Sequence, residues 1–317
     1  MTATGFPTAP DYGLVHQPLT SLFPRPQSPD DWARHALTAE QVRHFRDRGY
    51  VSGIRLLDDR QIEPLRAELA EMTRPDHVGR EHFYEYHSDE SASADTVLFH
   101  ALGAWRVRPG FHDLLWNPAF LVPAWQLLGK GFRMFHDQLF AKPARHGGVV
   151  AWHQDYSYWT WTEPMAHLTC WVGLDDVDES NGCLYYIPSS HRWGLVEKTA
   201  LAGDMEAVRE RLAPEQRADF DRKVPIRLAR GEATFHHPLM MHGSYANRSD
   251  RPRRATVINV FADGVRSNMD SANMPGADHY PAVPKGEPMA GPWYPLLFDP
   301  ARDLGGLADT LVTIDTL

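Results

Sequence analysis

The sequence predicts a mainly β fold, an antiparallel double-sheet roll with flanking helices. Three observations carry this. Apolar residues recur at helical spacing before about residue 130, whereas beyond residue 132 they gather into short runs divided by turn residues. Helices followed by many short strands pack as a helical layer on a two-sheet roll. The 317 residues show no internal repeat and no second domain.

Residues 1 to about 36 are Pro-rich and aperiodic and read as an extended arm. The first helix opens at Thr38, which forms a capping box with Gln41, while Leu37 and Val42 are spaced as a hydrophobic staple. Gly49 is its natural stop. A second helical pattern runs from about Asp58 to Met72, with Ile62, Leu65, Leu69 and Met72 on one stripe. Pro64 falls near its second turn and predicts a later start. Residues 75–104 are polar and irregular, so His77, His82, His87 and His100 read as solvated loop residues. A further helix is expected over 117–128, opening at Asn117-Pro118 and disturbed by Pro123.

Strands are predicted at 132–142, 149–154, 167–174, 183–188, 224–228, 232–237 and 255–262. Residues 197–222 interrupt them with a charged, Ala-rich pattern. There Met205, Val208, Leu212 and Phe220 mark a helical insertion. The last 50 residues, with Pro281, Pro284, Pro288, Pro292 and Pro295, read as a closing flap and tail. One domain therefore spans 1–317: the arm, a mostly helical layer over 37–130, the roll over 131–265, and the flap from 266.

A net charge of -9 disfavours nucleic acid and anionic membrane as partners, since both reward basic surfaces. The expectation is a monomer or homodimer acting on a small molecule. Two cysteines, Cys170 and Cys183, are too few for a disulfide framework and lie in apolar runs, as reduced core residues do. The N-terminus has neither a basic region nor an apolar stretch, and no run approaches a membrane span. These features predict a cytoplasmic protein. Ten Trp point to an aromatic-lined pocket.

The chemistry centres on Trp152-His153-Gln154-Asp155. On an extended strand residues i and i+2 share a face, so His153 and Asp155 project together and offer two corners of a metal site. The best third ligand is His242 in His242-Gly243-Ser244. His236 and His237 compete with it, but neither precedes Gly-Ser, and a His beside an apolar strand is more often a core residue. Two His and one carboxylate leave the opposite side of an ion open, the arrangement of non-haem Fe(II) oxygenases. Tyr156, Tyr158, Trp159 and Trp161 either line a substrate site or simply pack the roll.

Further stretches accompany this one: Asn181-Gly182-Cys183-Leu184, Pro188-Ser189-Ser190-His191, and Arg253-Arg254 at the start of the last predicted strand. In this order they resemble the phytanoyl-CoA dioxygenase family of Fe(II)/2-oxoglutarate oxygenases, over roughly residues 38–265. The resemblance implies a double-stranded β-helix, or cupin-like jelly roll, with flanking helices. It implies His153, Asp155 and His242 as iron ligands. It places the arginine that grips the distal carboxylate of 2-oxoglutarate at Arg253, with Arg254 as runner-up. Ser244, Trp171 and Gln138 match further co-substrate positions. His191 matches a motif near the pocket mouth, with a structural or substrate-contact role, and Tyr158 and Trp161 would face the substrate.

The activity so implied is hydroxylation of an unactivated C–H of a small metabolite, consuming O2 and 2-oxoglutarate and releasing succinate and CO2. Halogenases of this lineage carry a small residue where Asp155 stands, so the Asp favours an oxidative outcome without chloride. Two alternatives are a cupin-type metalloenzyme that uses no 2-oxoglutarate and a non-catalytic binding protein of the same fold. The first usually shows His-x-His followed by Glu, which is missing here. The second would show a lost ligand.

Overall fold

A computed structural model describes residues 9–74, 76–92, 95–268 and 282–316. The α-helices are α1 (Pro29–Ala33), α2 (Ala39–Arg48), α3 (Asp59–Met72), α4 (Ala104–Val107), α5 (Pro109–Leu114), α6 (Pro118–Leu128), α7 (Pro214–Phe220) and α8 (Pro300–Asp303). The strands up to the middle of the chain are β1 (Tyr50–Arg55), β2 (Glu85–His87), β3 (Phe99–Leu102), β4 (Phe132–Lys142), β5 (Val150–His153), β6 (Thr162–Glu163) and β7 (His167–Gly173). The remainder are β8 (Leu184–Tyr186), β9 (Val224–Ile226), β10 (Glu232–His236), β11 (His242–Ser244), β12 (Arg253–Ala262), β13 (Arg266–Ser267) and β14 (Leu296–Phe298).

The strands pair antiparallel in a large sheet of order β1-β10-β7-β12-β4-β3-β2 and a small sheet of order β5-β11-β8-β9. β14 pairs with the start of β4, and β13 pairs with β6. This is the expected jelly-roll layout. Alternation decides what each sheet face touches. On β7, Cys170 and Val172 pack with helix residues such as Val42, Ile62, Leu65 and Phe120. Trp171, between them, turns to the other side and meets Leu184 and Tyr186 of the small sheet. Both faces of the large sheet are thus covered, which is why β7 is buried along its whole length.

The capping box at Thr38 and Gln41 is present, and α2 ends at Gly49 with φ 83. α3 begins at Asp59 rather than beyond Pro64, because Asp58 and Gln61 form a second capping box. Pro64 lies on the exposed side, where the carbonyl that loses its partner can face water. α6 runs through Pro123, its residues buried against the sheet, so packing outweighs the lost hydrogen bond.

The stretch expected to be irregular contains β2 and β3. Phe99, His100, Ala101 and Leu102 are all buried, so no alternating pattern marked them as a strand. The insertion is a 3-10 turn at Ala207–Arg211 followed by α7, and Met205, Val208, Leu212 and Phe220 all face inward. From residue 9 onward the arm is pinned to the helical layer. Arg106 pairs with Asp11, and the Asp113 carboxylate accepts from the backbone of Leu19 and Thr20. Pro281 of the expected flap lies outside the described residues. Among the described residues no helix is long and apolar enough to cross a membrane.

Candidate active site

β5 and β11 are neighbours in the small sheet, with His153 directly opposite His242. Each ring is fixed by its own strand. Nδ1 of His153 lies 2.8 Å from the Ala151 carbonyl, and Nδ1 of His242 lies 2.9 Å from that of Met240. A carbonyl only accepts, so Nδ1 carries the proton in both and Nε2 keeps a free lone pair.

The ladder of β5 stops at His153, one residue short of expectation. Gln154 is still extended, with φ -113 and ψ 131, and Asp155 then opens a 3-10 turn ending at Tyr158. Ser157 closes this turn by donating from N and Oγ to the Gln154 carbonyl. Extended geometry therefore outlasts the ladder, and Asp155 emerges on the same side as His153.

The two carboxylate oxygens of Asp155 differ. Oδ1 is 3.5 Å from His153 Nε2 and 3.6 Å from His242 Nε2. Oδ2 accepts from Thr169 Oγ1 at 2.6 Å and from His236 Nε2 at 3.0 Å. One ligand atom from each of His153, Asp155 and His242 lies within 4.8 Å of the others, a set that could hold a metal ion. Burial works to raise the Asp155 acid, but His242, His153 and His236 around it bring it well below the usual range. Burial and the His153 ring push His242 well below its ordinary value. An ionised carboxylate and a neutral imidazole are the forms that bind metal.

A second polar centre lies on β12. Arg253 is buried, and its Nη2 donates to Ser244 Oγ at 3.0 Å. Its Nε and Nη1 are buried without a hydrogen-bond partner among the described residues. The guanidinium carbon sits 5.5 Å from the Trp171 ring centroid. Arg254 points the other way and pairs with Asp175, Nη2 to Oδ1 at 2.7 Å. Ser244 is held by Lys142, whose buried Nζ donates to Ser244 Oγ, to the Ser244 carbonyl at 3.2 Å and to the Tyr245 carbonyl at 2.7 Å. Burial, then the neighbouring Arg253, pushes the Lys142 ammonium well below its ordinary range. The Asn181-Gly182 turn backs this arrangement. Gly182 has φ 82, and a Cβ there would meet the Tyr245 carbonyl at 2.5 Å.

A family model for phytanoyl-CoA dioxygenase (PhyH) matches residues 45–255, two-thirds of the chain. The chain belongs to the phytanoyl-CoA dioxygenase family. It is 25% identical over 265 residues to a phytanoyl-CoA dioxygenase domain-containing protein 1 of Danio rerio, covering 71% of this chain and 90% of that one. It is 28% identical over 248 residues to an L-proline trans-4-hydroxylase of Streptomyces griseoviridis, covering 69% and 84%. In fold it is similar to the crystal structure of SnoK, a non-haem α-ketoglutarate-dependent carbocyclase of nogalamycin biosynthesis. That match has a TM-score of 0.67 and 24% identity, and covers 86% of this chain and 99% of that one. As a member of the family, the chain is an Fe(II)- and 2-oxoglutarate-dependent oxygenase.

The residues present fit both groups. The donor set suits a ferrous ion, and the unpaired edge of Arg253 suits a carboxylate. Both centres open into one cavity of about 200 Å³. Its lining includes Gln138, Trp171, Ser244 and Arg253, together with Tyr158, Trp159, Trp161 and Phe135. His191 is not part of that lining. Its Nε2 meets the Arg46 carbonyl at 3.2 Å and its ring packs on His237, contacts that match the structural one of its two expected roles. His237 accepts from the Leu239 backbone instead of turning toward the ligand set.

Several cavity residues escaped the sequence reading. His100 is buried, not solvated. Its Nε2 meets Gln138 Oε1 at 3.0 Å, its Nδ1 meets Glu90 at 2.6 Å, and it stacks on Phe140. No pattern could have located it, because β3 itself was not legible. His136 was findable, since it stands two residues before Gln138 on a predicted strand and so shares its face. Burial pushes this imidazole down to about 3.

Proposed function

We propose that this oxygenase hydroxylates an unactivated C–H bond of a compact, neutral or cationic metabolite, in specialised metabolism of the cytoplasm. One observation carries the reading: a buried arginine with two nitrogens unpaired among the described residues shares a cavity with a two-His, one-carboxylate cluster. His153, Asp155 and His242 would hold the iron. Arg253 and Ser244 would take the distal carboxylate of 2-oxoglutarate, against Trp171 and near Gln138. Iron bound there with 2-oxoglutarate and O2 supplies C–H oxidation coupled to decarboxylation of the keto acid to succinate and CO2.

The protein's own part is to position and to exclude water. Lys142 locks the Ser244 hydroxyl toward Arg253, so the co-substrate site is formed before binding. Tyr158, anchored through its hydroxyl to the Thr199 carbonyl, and Trp161 would contact the substrate. Glu85 and Glu90 also face the cavity, whereas Arg253 is the one Lys or Arg among its described lining residues. That balance favours a neutral or cationic substrate over a phosphate-rich thioester. The relatives named for proline and for nogalamycin chemistry agree with a small-molecule substrate. The net charge of -9 supports activity away from nucleic acid and anionic membrane, and we read the chain as one domain working as a monomer or homodimer.

Anaerobic addition of 2-oxoglutarate to the Fe(II) protein should produce a visible charge-transfer band. Under 18O2 with a metabolite library, one labelled oxygen should enter succinate and one the product. A protein that binds iron but neither develops the band nor consumes 2-oxoglutarate would refute the proposal.

A further inference from the structure

The large sheet carries one inward-facing polar row directly beneath the metal cluster. Its members come from four adjacent strands: His236 of β10 stands opposite Thr169 of β7, Thr169 opposite Asn259 of β12, and Asn259 opposite His136 of β4. Residues directly opposite in a ladder share a face. Asp155, in the turn that follows β5, meets this row at its His236 and Thr169 end.

We propose that His236 and Thr169 are positioning residues for Asp155, which occupy Oδ2 and thereby reserve Oδ1 for the metal. The inference rests on reading the cluster as an iron site. Both contacts are short, 2.6 Å from Thr169 Oγ1 and 3.0 Å from His236 Nε2, and both fall on the oxygen turned away from His153 and His242. An ionised carboxylate oxygen only accepts, so Nε2 of His236 carries the proton there. The other ring nitrogen is fixed as well. Nδ1 lies 2.9 Å from the Tyr186 hydroxyl, which lies 3.2 Å from Thr234 Oγ1, which donates to the Val51 carbonyl at 3.1 Å. Tyr186 stands directly opposite His242 in the small sheet. A line of close polar contacts therefore runs from the edge strand β1 to the carboxylate, with the single Tyr186 proton serving either Nδ1 of His236 or Thr234 Oγ1.

A fourth-ligand role for His236 is the competing reading, because its ring lies 4.5 Å from that of His242. Its nitrogen is committed to Oδ2, however, and it stands outside the set of mutually close ligand atoms. Two bonds to one oxygen hold the carboxylate for monodentate binding through the other. Groups that orient metal ligands in this way typically contribute 10–100-fold in metal affinity.

The test is Mn(II) affinity of the purified metal-free protein, with thermal melts as a control of folding. Thr169→Val removes the hydroxyl at nearly constant volume, and His236→Leu removes the ring donor. Each should weaken Mn(II) binding about 10–100-fold. Thr169→Ser and His236→Gln each keep a donor and should stay within a few-fold of wild type. Should His236→Leu fail to fold, Thr169→Val and its serine rescue decide alone. Wild-type affinity in Thr169→Val overturns the inference. So does X-ray absorption showing one imidazole fewer on the metal in His236→Gln. If the wild-type protein itself binds neither Mn(II) nor Fe(II), the metal reading falls and takes this inference with it; tight wild-type binding that the variants leave unchanged sinks the inference alone.

Discussion

Arg253 and Arg254 are consecutive on β12 and face opposite ways: the first lies buried in the cavity with Nε and Nη1 unpaired among the described residues, the second spans Asp175 at 2.7 Å. Strand parity makes them alternatives rather than partners. Arg253→Ala should raise the KM for 2-oxoglutarate roughly 100-fold, the loss of about 2–3 kcal/mol of charge-assisted bonding. Arg254→Ala should leave that KM within about twofold and lower stability by about 1 kcal/mol. Steady-state kinetics and melting curves separate the two; the reverse pattern would show that the wrong arginine has been assigned.

Metal should stabilise the fold through its three ligands. At a concentration about 100 times its Kd, Mn(II) should add about 2.7 kcal/mol and raise the Tm of the wild-type protein. His242→Ala and Asp155→Ala should show no such rise and no iron-dependent succinate formation. EDTA should abolish wild-type turnover and added Fe(II) restore it. A metal-dependent Tm shift that survives both substitutions would place the ion elsewhere.

Lys142 holds Ser244 through both its hydroxyl and its carbonyl. Lys142→Met should therefore raise the KM for 2-oxoglutarate several-fold, less than Arg253→Ala, because Ser244 loses its tether while the guanidinium stays. The metal affinity should not move. An unchanged KM would mean that Ser244 needs no such support.

Asp137 is buried and accepts from the Gly103 and Trp105 backbones at 2.9 Å each. Burial nevertheless pushes its acid up to about 7. The unfolded value is about 3.9, so the native state keeps a proton that the unfolded chain has released. The stability this group contributes is complete below about pH 4 and is lost as pH rises through about 7, with a slope of up to about 1.4 kcal/mol per pH unit. Denaturant midpoints at pH 5 and pH 8 should show the wild type losing ground to Asp137→Asn at the higher pH. A gap that is the same at both pH values would show that the carboxyl is already ionised.

Much of the fold is local information. β4 covers the residues predicted for the strand at 132–142, and α2 begins and ends where Thr38, Gln41 and Gly49 place it. β3 was hidden because burial on both faces erases alternation, and β2 because three partly exposed residues are too few to show one. α3 spans the residues its apolar stripe predicts, and the later start suggested by Pro64 is not taken because a proline on the solvent side is tolerated. For the site, the His153-x-Asp155 spacing was visible because an i, i+2 relation needs only an extended backbone. The roles of His100, Lys142 and His236 were not, since each depends on partners remote in sequence.

The sequence by itself determined which residues share a strand face and which side chains carry metal-binding or carboxylate-binding chemistry. Only the tertiary structure decided how the strands register: that His153 lies opposite His242, that His236 and Thr169 claim one oxygen of Asp155, and that Arg253 ends beside Ser244 and Trp171. The reason is that side-chain direction follows from backbone geometry within two residues. Register between sheets comes from packing both faces of the large sheet at once, a condition that no short stretch of chain contains.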